Sequence, residues 1–165
     1  MQRYMRSRGL AQEFACPALP HSPGDAVRLI TSVAGEKSVC YVGSSLGGFY
    51  ATYLVETQGG KAVLINPAIE PQIGLAACLG PQKNLYTGEP YELTASHLAQ
   101  WRELYVPKIT PERYLLLVET GDEVLDYRRA LERYAAAEQL VIAGGDHSLR
   151  SFPEHLPRIL RFAGY

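Results

Sequence analysis

Val42-Gly43-Ser44-Ser45-Leu46-Gly47-Gly48 closes an apolar run that begins at Ser38 and opens a helix-like stretch that continues to Glu56. A strand, a glycine-flanked serine and a helix in that order form the setting of a nucleophile elbow, where a serine sits on a strained bend. Strand and helix approach so closely there that the residues two before and two after the serine must lack bulk, and Gly43 and Gly47 meet this demand around Ser45. Ser44 is not flanked by glycine on both sides at that spacing. The bend lifts the Ser45 hydroxyl above the carboxyl edge of a sheet and aims the Leu46 backbone N–H, at a helix N-terminus, toward a developing oxyanion. The pattern alone is short and built from common residues, so its weight comes from the elements around it.

Outward from this bend, strands and helices alternate. Strands are predicted over 38–42, 61–66, 114–119 and 139–143, and helices over 47–56, 125–137 and 152–162. Toward the amino terminus, 1–8 reads as a helix stopped by Gly9, and 13–16 as a short strand stopped by Pro17. Ser22-Pro23-Gly24-Asp25 then starts a helix that runs to about residue 33. Several strands are continuous apolar runs, as expected where helices cover both faces of a parallel sheet. The expected architecture is one doubly wound α/β domain over 1–165. Its one irregular part, 67–111, is punctuated by Gly74, Gly80, Pro81, Gly88 and Pro90, with a helix near 97–105, and reads as an excursion or small cap over the site.

A serine hydroxyl needs a base, and the base needs an acid that fixes its tautomer. Thr120-Gly121-Asp122-Glu123-Val124 follows the 114–119 strand, and Gly144-Gly145-Asp146-His147-Ser148 follows the 139–143 strand. Ser45, Asp122 and His147 thus fall in the chain order Ser, Asp, His, each past the carboxyl end of a strand, where open parallel sheets bind ligands. Asp122 also reads as a turn former ahead of the next helix. Asp126 is the rival acid but falls inside the predicted helix, and Asp146 is too near His147 in sequence to reach its ring from the correct side. His21, His97 and His155 have no comparable setting. Tyr50, Tyr53, Tyr127 and Tyr134 recur at helical spacings and read as packing.

Composition narrows the alternatives. The 165 residues carry a net charge of −1 and no basic stripe, so nucleic acid is an unfavoured partner. The apolar runs at 62–65 and 114–118 fall far short of the roughly 20 residues of a membrane span. Residues 1–10 hold three Arg without an apolar signal core, so a cytoplasmic protein is expected. Cys16, Cys40 and Cys78 lack CxxC spacing and read as reduced, structural thiols rather than a disulfide framework or zinc site. No cofactor and no metal are expected.

The stretches 42–50, Asn66-Pro67-Ala68, 84–91, 120–128 and 144–147 together resemble the YqiA-type bacterial esterases of the α/β-hydrolase superfamily. The resemblance spans nearly the whole chain, and the strings NLYTGEPY and TGDEVLDYR are specific in combination. It implies an α/β-hydrolase-like, mostly parallel sheet of about five strands and a small cytoplasmic esterase acting on short acyl esters or acyl thioesters. It also implies that Ser45, Asp122 and His147 carry the triad roles. Members of the family begin with an apolar strand ending in His-Gly-Phe, followed by a loop that donates a second oxyanion N–H. The sequence starts in what would be the following helix, at Met1-Gln2-Arg3-Tyr4-Met5, so a strand expected mid-sheet between the 13–16 and 38–42 strands is absent, and it reads as an amino-terminally truncated version of the enzyme. The missing strand leaves edges open for self-association. Two other readings stay open: a catalytically impaired relative that acts as a binding or interaction module, and a perhydrolase or haloperoxidase using the same triad.

Overall fold

The computed structural model describes residues 1–84 and 87–165, so Leu85 and Tyr86, inside the NLYTGEPY string, lie outside the described residues. Seven helices are described: α1 (Gln2–Ser7), α2 (Pro23–Ala34), α3 (Leu46–Gln58), α4 (Pro71–Gly74), α5 (Ala95–Glu103), α6 (Tyr127–Arg133) and α7 (Phe152–Ala163). Six strands accompany them: β1 (Cys40–Ser44), β2 (Lys61–Ile65), β3 (Gly80–Lys83), β4 (Pro90–Leu93), β5 (Tyr114–Glu119) and β6 (Glu138–Ile142). The main sheet has the order β1-β2-β5-β6 and is parallel throughout. β3 and β4 form a separate antiparallel ribbon within the excursion.

The apolar runs of β2 and β5 are continuous because both of their faces are buried. Ala62, Leu64, Tyr114 and Leu116 join Val55 of α3 and Tyr134 in one cluster, whereas Val63, Ile65, Leu115 and Leu117 join Leu149 and Ile159 of α7 in another. Alternate residues of a strand point to opposite faces, so a strand sandwiched between helix layers has no polar side to show. A third cluster ties the excursion to the body: Phe49 and Tyr50 of α3 pack with Ala26, Leu93 and Trp101, and the Trp101 indole N–H donates to Tyr50 Oη at 2.9 Å. Tyr50 and Tyr134 are buried, as their helical spacing predicted.

The main sheet has four strands rather than about five. Residues 13–16 do not form the expected strand: Ala11–Glu13 make a single 3₁₀ turn, and Phe14 is extended (φ −127°, ψ 125°) without a ladder. An extended segment becomes a strand only beside a partner, and here a groove of about 590 Å³ separates Phe14–Pro17 from the outer edge of β1. That edge leaves Val42 exposed. Helix α6 is also shorter than the predicted 125–137. Asp126 is its N-cap, accepting the Arg128 N–H at 3.0 Å, so the rival acid stands before the helix and not inside it. Ahead of it the chain bends, with the Val124 and Leu125 N–H groups donated to Asp122 Oδ1. The cysteines are free, with Cys16 and Cys78 exposed and Cys40 partly buried. Among the described residues no helix is long and apolar enough to cross a membrane.

Candidate active site

The bend at Ser45 is built from β1, β2 and α3. Ser45 adopts φ 53° and ψ −120°, a conformation that costs a non-glycine residue on the order of 1–3 kcal/mol. Three backbone hydrogen bonds hold it there: the Ser45 N–H donates to the Ile65 carbonyl at 2.9 Å, and the Ser45 carbonyl accepts the N–H of Gly48 and of Ala68, each at 3.0 Å. The segment Asn66-Pro67-Ala68 therefore braces the bend from the adjoining strand. Leu46 is the first residue of α3, so its N–H belongs to the opening turn, whose amides have no partner within the helix.

The glycines around Ser45 divide differently from the sequence expectation. A Cβ on Gly43 would lie 2.2 Å from the Gly47 carbonyl oxygen, and one on Gly48 would lie 2.7 Å from Pro67 Cβ, so both positions exclude any side chain. A Cβ on Gly47 meets nothing within 4 Å. Gly47 lines the groove beside β1, where no neighbouring strand crowds it, so the tight contact is between Gly43 and the Gly47 backbone rather than at the Gly47 side-chain position.

Asp122 and His147 meet. Asp122 Oδ2 lies 2.8 Å from His147 Nδ1, and the Asp122 side chain is 1% exposed against 21% for the imidazole. Oδ1 of the same carboxylate accepts the N–H of Val124 and Leu125, so Asp122 is both the turn former and the partner of the histidine. With a proton on Nδ1 the ring donates to Asp122 and leaves Nε2 unprotonated, the arrangement a general base requires. Asp146, the adjacent acid, is turned away: its carboxylate accepts the Ser148 N–H and pairs with Arg150. Among the described residues, the Asp122–His147 contact is the one side-chain hydrogen bond within the predicted trio. Ser45 connects to the same edge through the backbone, because Ile65, which accepts its N–H, precedes Asn66, and Asn66 Nδ2 donates to the His147 carbonyl at 3.1 Å.

Two polar residues of this edge, Asn66 and Glu119, escaped the sequence reading as site residues. Both are buried, at 2% and 3% exposure. Their signal was available as a polar residue ending each of two otherwise apolar strands, and it resembles an ordinary strand end. Among the described residues no group of three or more His, Cys, Asp or Glu is arranged to hold a metal ion.

A family model described as an uncharacterised protein family, UPF0227, matches residues 1–164. Solved structures share the fold at low identity. Alpha/beta hydrolase domain-containing protein 10 from mouse is 18% identical with a TM-score of 0.59, over 85% of this chain and 67% of that one. A monoacylglycerol lipase of Paleococcus ferrophilus is 14% identical with a TM-score of 0.62, over 86% and 75%. The esterase domain of a Rhodothermus marinus protein is 17% identical with a TM-score of 0.57, over 84% of this chain and 64% of that domain. The parallel sheet with helices on both faces has the α/β-hydrolase fold.

Proposed function

Because the chain belongs to UPF0227, the YqiA family of esterases, we propose that it is a serine hydrolase cleaving short acyl esters, and acyl thioesters, through a Ser45–His147–Asp122 triad. His147 Nε2 takes the proton of the Ser45 hydroxyl as Oγ attacks the acyl carbonyl carbon. The tetrahedral oxyanion receives the Leu46 N–H, and the alcohol or thiol departs with the proton from His147, leaving an acyl-enzyme. Water, deprotonated by the same imidazole, attacks the acyl carbon and releases the acid with Ser45 restored. Asp122 stays ionised and steadies the imidazolium. The excursion over 67–111 acts as a small cap that selects the acyl group.

The observation that carries this reading is the 2.8 Å contact between His147 Nδ1 and the buried Asp122 carboxylate. It stands on the sheet edge where Ser45 sits on a positive-φ bend. The experiment is p-nitrophenyl butyrate hydrolysis by the Ser45→Ala chain, with labelling of the unmodified chain by a fluorophosphonate. Loss of kcat by a factor on the order of 10⁶ with an unchanged circular dichroism spectrum is expected. Retained hydrolysis after Ser45→Ala, or a chain that a fluorophosphonate does not label, ends the proposal.

A further inference from the structure

Beneath the loop that carries His147, two buried polar side chains from neighbouring strands converge on its backbone. Asn66 follows β2 with φ 40°, and its Oδ1 accepts the Glu119 N–H at 2.9 Å. Its Nδ2 donates to the carbonyls of Asp146 at 3.3 Å and His147 at 3.1 Å. Glu119 ends β5, and its carboxylate accepts the Asp146 N–H at 2.9 Å through Oε2 and the Ser151 hydroxyl at 3.2 Å through Oε1. Gly145, at φ 74°, lets the loop settle onto this carboxylate, since a Cβ there would lie 2.2 Å from Glu119 Cδ. Among the described residues no cation pairs with Glu119, and burying a carboxylate without one is costly unless its lone pairs are fully used. Three of these five hydrogen bonds go to the backbone of the loop at 146–147. An apolar residue at either strand end would pack the core as well but would leave the loop amide and carbonyls without partners.

We infer that Asn66 and Glu119 are positioning residues for His147: together they fix the height and tilt of the 145–147 backbone, so that the imidazole meets Asp122 on one side and Ser45 on the other. The inference rests on the triad reading above. It differs from a stabilising role in what it moves, because a misplaced base lowers kcat while substrate affinity stays the same.

The test compares Glu119→Ala, Glu119→Gln and Asn66→Asp with the unmodified chain, using p-nitrophenyl butyrate. Asn66→Asp keeps the acceptor for the Glu119 N–H and deletes both donors to the loop. Glu119→Ala and Asn66→Asp are expected to lower kcat about 30- to 100-fold with KM within about twofold. Glu119→Gln, whose amide accepts the Asp146 N–H and donates to Ser151, is expected to recover kcat to within about threefold. The low-field proton resonance of the His147 Nδ1–H, shared with Asp122, broadens or moves in the first two variants and stays in the third. Two results overturn the inference: a folded Glu119→Ala or Asn66→Asp chain with kcat within about twofold of normal, or a Glu119→Gln chain as impaired as Glu119→Ala. Should the disruptive variants not fold, hydrogen exchange in the unmodified chain decides: a slowly exchanging Asp146 amide supports the role, and exchange at the rate of an exposed loop refutes it. Activity surviving Ser45→Ala would sink the esterase reading alone, because the low-field proton and the Asp146 amide report positioning without any turnover.

Discussion

Asp122 Oδ2 lies 2.8 Å from His147 Nδ1 while Oδ1 of the same carboxylate accepts the Val124 and Leu125 N–H groups, each at 2.8 Å. Three hydrogen bonds therefore fix one carboxylate in a turn, and the turn delivers it to the ring. Asn at this position keeps the size and the turn but offers an amide to the ring, which stabilises the wrong tautomer. Asp122→Asn is expected to lower kcat by about 10³ to 10⁴ with the fold intact. Asp126→Ala, at the α6 N-cap, is expected to cost about 1 kcal/mol of stability and leave kcat unaltered. Ester hydrolysis and thermal melting of the two variants check the assignment, and a loss smaller than tenfold for Asp122→Asn would remove Asp122 from the triad.

The strands β2 and β5 were legible because apolar runs of their length admit one explanation once helices flank them, and both faces are indeed buried. Ser45, Asp122 and His147 were legible as candidates because each follows a strand, and the structure joins the latter two. Residues 13–16 misled because extended propensity is local whereas pairing is not: without a strand alongside, Phe14 stays extended and unpaired. The α6 start misled because apolar spacing does not reveal the bend over 122–126, after which Asp126 caps the helix. Asn66 and Glu119 were illegible as site residues because their meaning lies in contacts 27 to 81 positions away along the chain.

The glycines of the bend make opposite predictions. A methyl group on Gly43 would collide with the Gly47 carbonyl at 2.2 Å, a backbone contact that has no rotamer with which to yield. Gly43→Ala is expected to destabilise the chain by more than about 3 kcal/mol, or to prevent folding. Gly47→Ala has open space for its Cβ and replaces a glycine in the first turn of a helix. Gly47→Ala should keep or raise the melting temperature, by about 0.5–1 kcal/mol of helix propensity. Chemical denaturation of both chains decides; equal destabilisation would mean that the two glycines are sterically equivalent.

Thiol chemistry separates the three cysteines. Burial pushes the Cys40 thiol up to about 11, against the attraction of Lys61, so little thiolate exists at neutral pH. Cys16 and Cys78 are exposed. A disulfide reagent at pH 8 is therefore expected to titrate two thiols rapidly in the native chain and the third only after denaturation. Three equally fast thiols would contradict the burial of Cys40.

Glu56 closes the excursion onto the body of the fold, and it makes stability depend on acid. Its carboxylate accepts Tyr114 Oη at 2.6 Å, the Thr110 N–H at 2.8 Å and the Thr110 hydroxyl at 2.9 Å, pinning the chain as it enters β5. Burial opposes the charge on Glu56, but the Tyr114 and Thr110 hydrogen bonds, with Arg113 nearby, outweigh it and hold the carboxyl below its ordinary value of 4.5. A carboxyl depressed in the folded state stabilises the fold above the unfolded-state value, and that contribution disappears as pH falls through the lower, folded one. Glu56→Gln is therefore expected to melt at a lower temperature than the unmodified chain at pH 7, with the gap narrowing as pH drops below about 4.5. Melting curves across pH 3 to 7 measure the gap, and a difference that stays constant or widens in acid would show that the Glu56 charge does not hold this junction.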